Sequence, residues 1–218
     1  ARQTYKNNLK TLNYYRSEYK DENLNYRMAV LRFQSDNNLL VDGVAGKEFQ
    51  TVMKERVQHG KRSAYRDYVD TPPSAQHWIA VNKSKRTLTL YWNKTAIKKY
   101  PIALGKTNFI TPAGKFKIKL KVINPAWSGA GFAKPVKGGD KKNPLGYRWL
   151  GLTIGKKDQY GIHGNNNPYS IGRNVSRGCI RMFNSDVEEL YSYVKTGTPV
   201  WIGSDKVLRK WGVHQNSK

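Results

Sequence analysis

Apolar residues fall at two different periods along this chain. Before residue 60 they recur three and four apart: Leu9 with Leu12, Val30 with Phe33, and Phe49 with Val52 and Met53. That spacing gives each of three short helices one apolar stripe, enough to build a small shared core. Between the second and third, Val41-Asp42-Gly43-Val44-Ala45-Gly46 supplies the residues that reverse chain direction. From residue 77 onward the period becomes two. Leu88, Leu90 and Trp92 alternate with Thr87, Thr89 and Tyr91, and Phe116, Ile118, Leu120 and Val122 alternate with Lys115, Lys117, Lys119 and Lys121. Both runs predict half-buried antiparallel strands, the second with its four lysines on the solvent face. Ser185-Asp186-Val187-Glu188 has the capping-box form and predicts a helix reaching about Lys195 and closed by Gly197, followed by a last strand over Pro199-Val200-Trp201-Ile202.

These elements define an α+β chain: a mainly β domain, with antiparallel sheets and one or two short helices, preceded by a small three-helix domain. The expected boundaries are a helical module over 1–60, a linker over 61–76 stiffened by Pro72-Pro73, the β domain over 77–203 and a basic C-terminal tail over 204–218. The segment from Asn124 to Tyr147, rich in glycine, lysine and proline, has no period. A loop of that length in a compact domain is expected to carry function or to be an insertion.

Charge narrows the environment. Lysine and arginine number 39 against 15 acidic residues, a net charge of +24, so the surroundings are anionic: nucleic acid, an anionic membrane or an acidic wall polymer. Nucleic acid is the poorest fit, because zinc-ligand spacing, a P-loop and a dinucleotide fingerprint are all missing and the lysines are spread over strands and loops. No apolar run has the length of a transmembrane segment, and Ala1-Arg2-Gln3 opens without the apolar stretch of an export signal. A single cysteine leaves no internal disulfide.

That cysteine, Cys179, ends a glycine-punctuated loop that begins with His163-Gly164, sixteen positions earlier, and runs through Ser176-Arg177-Gly178-Cys179-Ile180-Arg181. A thiol nucleophile needs an imidazole to take its proton and a third group to orient the imidazole, and a loop of this size can fold back to bring the two together. Gly178 allows close approach of the backbone to a substrate and frees amides for a developing oxyanion.

The order H-G, variable loop, S-x-G-C-x-R resembles the active-site signature of the L,D-transpeptidases, cysteine enzymes that cross-link peptidoglycan. Thr111-Pro112-Ala113-Gly114-Lys115-Phe116 and Trp149-Leu150-Gly151-Leu152 extend the resemblance. Many members carry a second histidine just before the Gly-Cys pair, where this chain has Arg177. Ala29-Val30-Leu31-Arg32-Phe33-Gln34 and Asp42-Gly43-Val44-Ala45-Gly46 are similar to a three-helix peptidoglycan-binding module often fused to wall enzymes.

The resemblance implies Cys179 as nucleophile, His163 as base, the Gly164 carbonyl as the group orienting it, and the Gly178 and Cys179 amides as oxyanion donors. It places Arg181, Ser176, Trp127 and Tyr147 at the substrate, with the 124–147 loop as a lid. Activation of the thiol is expected to come from His163, helped by the charges of Arg177 and Arg181. Neither metal nor cofactor is implied. The expected partners are peptidoglycan stem peptides and glycan together with anionic wall polymers, and the expected place is the bacterial cell wall or the extracellular space. With water as acceptor the same chemistry gives an L,D-carboxypeptidase, and without chemistry the chain would be a wall-binding protein. Residues from about Gln76 onward are expected to work without the helical module.

Overall fold

The computed structural model describes residues 1–60 and 65–217. Helices α1 (Arg2–Thr11), α2 (Glu22–Asp36) and α3 (Lys47–His59) form the expected three-helix unit. Leu9, Val30, Phe33, Phe49, Val52 and Met53 make one buried cluster, with Phe33 and Phe49 edge to face at 5.1 Å. The side chain of Asp21 caps α2 by accepting from the Leu24 amide, which satisfies one of the orphan donors at a helix start.

The strands are β1 (Asp67–Val69), β2 (His77–Asn82), β3 (Thr87–Trp92), β4 (Thr95–Gly105), β5 (Gly114–Ile123), β6 (Arg148–Leu152), β7 (Gly161–His163), β8 (Asn174–Ser176), β9 (Ile180–Met182), β10 (Pro199–Gly203) and β11 (Val213–Gln215). Nine of them hydrogen-bond in the order β3-β2-β10-β5-β6-β7-β9-β4-β8, and an added β3–β4 pairing closes eight into a barrel-like ring. The ring is mostly antiparallel, but β2–β10 and β7–β9 run parallel, and β8 adds to β4 in parallel outside it. The interior is aliphatic: Ile79, Leu88, Leu90, Ile102, Leu150, Ile162 and Ile180 are buried to within 1%. Helix α4 (Asn184–Tyr193) lays Val187 and Leu190 into the same core.

Several expectations change in detail. Strand β3 is buried on both faces rather than half-buried, because Thr87, Thr89 and Tyr91 turn toward the C-terminal segment instead of solvent. In β5 a register shift between Ile118 and Leu120 breaks the alternation. Leu120 is 43% exposed as a result, and the lysines do not form one solvent face. Lys115 lies over the rings of Trp201 and Trp211, Lys119 pairs with Asp158, and Lys121 donates to the carbonyls of Tyr191 and Val194 at the end of α4. Helix α4 begins a residue before Ser185, with Phe183 at the N-cap and no side-chain cap, so Ser185 does not cap it.

The regions taken as linker and tail are structured in part. Asp67–Val69 pairs antiparallel with Val213–Gln215, and α5 (Asp205–Lys210) buries Leu208 against Trp78 and Trp201. The reason is a sealed polar cluster: Lys99 bonds Asp67 at 2.8 Å, and Asp67 also accepts from Tyr91, which in turn accepts from Gln215 at 3.0 Å. Lys61 and Arg62, the start of the expected linker, lie outside the described residues. Among the described residues no helix is long and apolar enough to cross a membrane.

The helical module packs on the barrel. Helix α2 is buried almost all round: Ala29, Val30 and Phe33 face the other helices, while Leu24, Met28 and Leu31 meet Ala103, Ile171 and Phe183. Arg27 donates to the Ile171 carbonyl at 2.7 Å, Tyr169 to Asp21 at 2.6 Å, and Arg32 faces the buried Asp186 at 3.8 Å.

Candidate active site

Strands β7 and β9 run side by side with Ile162 opposite Ile180 and His163 opposite Arg181. Because side chains alternate along a strand, Ile162, Ile180 and Met182 enter the core while His163, Arg181 and the preceding Cys179 turn the other way. There they line a cavity of about 1030 Å³. One parallel pairing thus brings residues sixteen apart in sequence onto the lining of a single cavity.

His163 is 4% exposed. Its Nδ1 lies 2.7 Å from the Gly164 carbonyl, a bond that places the proton on Nδ1 and leaves Nε2 as the acceptor. Trp149, its register partner on β6, stacks on the imidazole with centroids 5.7 Å apart and planes inclined by 19°. Burial, outweighing the Gly164 bond and aided by the charge of Arg181, pulls the imidazole pKa down from 6.5 to about 4.

The Cys179 thiol is half-buried and faces the carbonyl of Gln159 at 3.2 Å. Burial raises its pKa above the ordinary 9.0, opposed by the Gly161 backbone and by Arg181. Both shifts disfavour charge, so the resting pair is a neutral thiol and a neutral imidazole. Desolvation thus opposes the help that the Arg181 charge gives the thiolate.

The turn before the nucleophile is held by Ser176. Its hydroxyl donates to the Cys179 carbonyl at 2.6 Å and accepts from the Gly178 amide at 3.2 Å. Ser176, expected at the substrate, thus has its hydroxyl committed within the loop, and the Gly178 amide is not a free oxyanion donor in this state. Gly178 adopts φ +117°, a conformation open to glycine, and its Cα packs against Gly105.

The remaining expected residues separate. Arg181 lines the cavity, half-buried beside the thiol. Trp127 lines it too, held by backbone bonds to Val136 and with its ring edge to face with Phe132 at 5.8 Å. The 124–147 segment is irregular apart from that bridge and forms one wall. Tyr147 is absent from the wall, and its carbonyl accepts from the Asn124 amide.

Other residues at the site escaped the sequence. Trp149 belongs to a stretch singled out by the resemblance, but only register puts its ring on His163. Asn184 accepts from the Asn165 amide at 3.0 Å and donates to the Asn165 carbonyl at 3.2 Å, which fixes the turn carrying Gly164. A Cβ on Gly164 would fall 2.1 Å from Asn184 Oδ1, so any side chain there displaces Asn184 from its bonds to Asn165. Phe109, Phe132 and Lys106 complete the cavity mouth, and no periodicity marks them.

Known proteins resemble this chain in sequence and fold. Residues 76–202 match the model of the YkuD family, described as the L,D-transpeptidase catalytic domain. The YkuD protein of Bacillus licheniformis, which carries the name of an L,D-transpeptidase, is 46% identical over 134 residues, covering 62% of this chain and 70% of that one. A crystal structure of an L,D-transpeptidase from Xylanimonas cellulosilytica has the same fold, with a TM-score of 0.56 and 19% identity across 80% of this chain and 78% of its own. For an L,D-transpeptidase structure from Mycobacterium tuberculosis, the TM-score is 0.49 and the identity 18%, over 59% of this chain and 57% of that one. With a family model matched over more than half its length, the chain belongs to the YkuD family of L,D-transpeptidase catalytic domains.

Proposed function

We propose that this protein is a cysteine L,D-transpeptidase: it takes an acyl group from a peptidoglycan tetrapeptide stem and passes it to the side-chain amine of a diamino acid on a neighbouring stem. The observation that carries this reading is the buried His163, oriented by the Gly164 carbonyl, in one cavity with the Cys179 thiol. A neutral imidazole accepts a proton where an imidazolium cannot.

The step begins with a neutral pair. As Sγ of Cys179 bonds to the carbonyl carbon before the terminal D-residue, its proton passes to Nε2 of His163. The Cys179 amide serves as oxyanion donor, and the Gly178 amide joins it if Ser176 releases its bond. Collapse breaks the amide C–N bond, and the imidazolium gives its proton to the leaving amine. The acceptor amine then attacks the thioester, the C–S bond breaks and the proton returns to sulfur through His163. Gly164 acts as a positioning group, and Arg181, free of an acidic partner among the described residues, suits the carboxylate of the leaving D-residue.

The site opens to an aqueous mouth, so water competes as acceptor and would give the L,D-carboxypeptidase. Stem peptides and glycan are the partners of this reading, and the bacterial wall is its place. The +24 charge suits anionic wall polymers there. The test is mass spectrometry of tetrapeptide-stem muropeptides incubated with the protein and with Cys179→Ala. Cross-linked dimers from the wild type alone support the transferase, shortened monomers alone make it a carboxypeptidase, and unchanged muropeptides leave only a wall-binding role.

A further inference from the structure

The mouth of the cavity carries cations with no acid to pair with. Lys106, Arg177 and Arg181 all line it, and among the described residues none forms an ion pair. The carboxylate on the lining, Asp158, is engaged by Lys119 at 2.6 Å. Arg181 sits at the depth of the thiol, its strand residue opposite His163. Arg177 lies further out, its guanidinium 5.2 Å from the Phe109 ring and 4.3 Å from the Phe132 ring, with Lys106 5.3 Å from Phe109. Both rings are large and open to solvent, Phe109 at 40% and Phe132 at 60%. A guanidinium held against aromatic faces keeps its in-plane N–H groups available, and the rings lower the local dielectric around any anion that meets them.

A stem peptide presents carboxylates at two depths. The leaving residue's carboxylate adjoins the scissile bond and so falls near Arg181. A carboxylate on the diamino acid side chain is several bonds removed from the scissile bond, a reach that would bring it to the cations of the mouth. We propose that Arg177, backed by Phe109 and Phe132, is a specificity-determining residue that selects stems whose diamino acid carries a free side-chain carboxylate over stems in which that group is amidated or absent. The inference rests on the transpeptidase reading and names the substrate class that reading leaves open. A site that presents a charge-assisted donor rejects the amide because the amide offers a weaker acceptor and a misplaced N–H.

Two measurements on the full chain test it. In the first, product formation is compared for matched muropeptides with the free acid and with the amide. The wild type is expected to favour the acid by about tenfold, and Arg177→Gln to bring the ratio within about twofold, mainly by slowing the acid, while Arg177→Lys keeps part of it. In the second, Cys179 is alkylated with iodoacetate and with iodoacetamide, which needs no transferase activity. The ratio of the anionic to the neutral rate is expected to fall in Arg177→Gln while the iodoacetamide rate holds. An acid-to-amide preference or an alkylation ratio that Arg177→Gln leaves unchanged overturns the proposal. If neither muropeptide yields product, the transpeptidase reading fails, and a fall in the alkylation ratio then upholds Arg177 as the anion-selecting group of some other acyl donor.

Discussion

The side-chain amide of Asn184 exchanges two hydrogen bonds with the backbone of Asn165, accepting from its amide at 3.0 Å and donating to its carbonyl at 3.2 Å. Asn165 in turn donates its side chain to the Met182 carbonyl at 2.8 Å. The start of α4 is thereby tied to the residue after Gly164, whose carbonyl orients His163, so Asn184, which lies outside the cavity lining, is a positioning residue.

Replacing Asn184 by alanine removes both bonds and leaves buried backbone groups unpaired, at a cost of about 1–3 kcal/mol. Loss of alignment at the imidazole is expected to slow acylation of Cys179 by a tetrapeptide-stem muropeptide, the donor of the proposed reaction, by about tenfold to a hundredfold. Asn184→Asp keeps the acceptor and is expected to recover part of the rate. A purely structural role would lower the urea midpoint in both variants with the acylation rate and its pH profile untouched.

A second prediction concerns how the thiol titrates. With burial holding Cys179 above 9.0 and His163 near 4, alkylation by iodoacetamide should rise only at alkaline pH, with no shoulder between pH 5 and 8. Acylation that uses the imidazole as base should instead persist well below pH 6.5, because His163 stays neutral there. An alkylation rate at pH 7 above that of a free cysteine peptide would mean a preformed thiolate. His163→Ala should lose most of the acylation rate and regain part of it as pH rises.

Two buried groups, His163 and Asp186, should make stability depend on pH with opposite signs. The His163 pKa falls from 6.5 to about 4 on folding, so the stability it contributes is complete above pH 6.5 and is lost as pH falls through 4. Asp186 goes the other way: burial, only partly offset by Arg32, raises it from 3.8 to about 6. Its contribution is complete below pH 3.8 and is lost as pH rises through 6. Relative to wild type, urea midpoints measured from pH 4 to 6 should slope downward with pH in His163→Gln and upward in Asp186→Asn. Parallel curves for all three proteins would refute both assignments.

Much of this architecture is legible in the sequence, for reasons that also explain the gaps. Three-and-four spacing at Leu9, Val30 and Phe49 is helical periodicity in its plain form, and α1, α2 and α3 follow it. The second apolar face of α2, made by Leu24, Met28 and Leu31, is hidden because a helix apolar on two sides has no single stripe to detect. Strands β1, β7, β8, β9 and β11 are three residues long, too short for any period, and they exist through tertiary partners. The candidate dyad stands out because glycine, histidine and a lone cysteine punctuate one loop. Trp149 and Asn184 do not, since their roles come from register and from a helix start that no local pattern encodes.

The buried pair of Lys99 and Asp67 should be costly to break and cheap to replace. Their side chains are 0% and 2% exposed, and they join β4 to β1. Asp67→Asn leaves a buried ammonium without its counter-charge and is expected to destabilise by about 3–5 kcal/mol. The double variant Lys99→Met, Asp67→Leu should lose less than Asp67→Asn alone, because no charge is stranded. Chemical denaturation of the two checks this, and additive losses would show the residues act separately.

The last prediction revises the independence expected of the β domain. A fragment beginning at Gln76 would bare Ala103, Ile171 and Phe183, which α2 covers with Leu24, Met28 and Leu31. It would also strand Lys99 without Asp67 and leave β11 without β1. Exposed apolar surface of this kind drives aggregation, and the buried ammonium adds the cost of an unpaired charge. The fragment should therefore aggregate or melt well below the full chain. One beginning at residue 65, which restores β1 and Asp67, should recover part of the stability and still lack the α2 contact. Within the full chain, Leu31→Ala tests that contact alone and is expected to cost about 2–5 kcal/mol as a buried leucine truncation. A Gln76 fragment with the same melting temperature as the full chain, together with a neutral Leu31→Ala, would restore the picture of a helical module merely tethered to an autonomous enzyme.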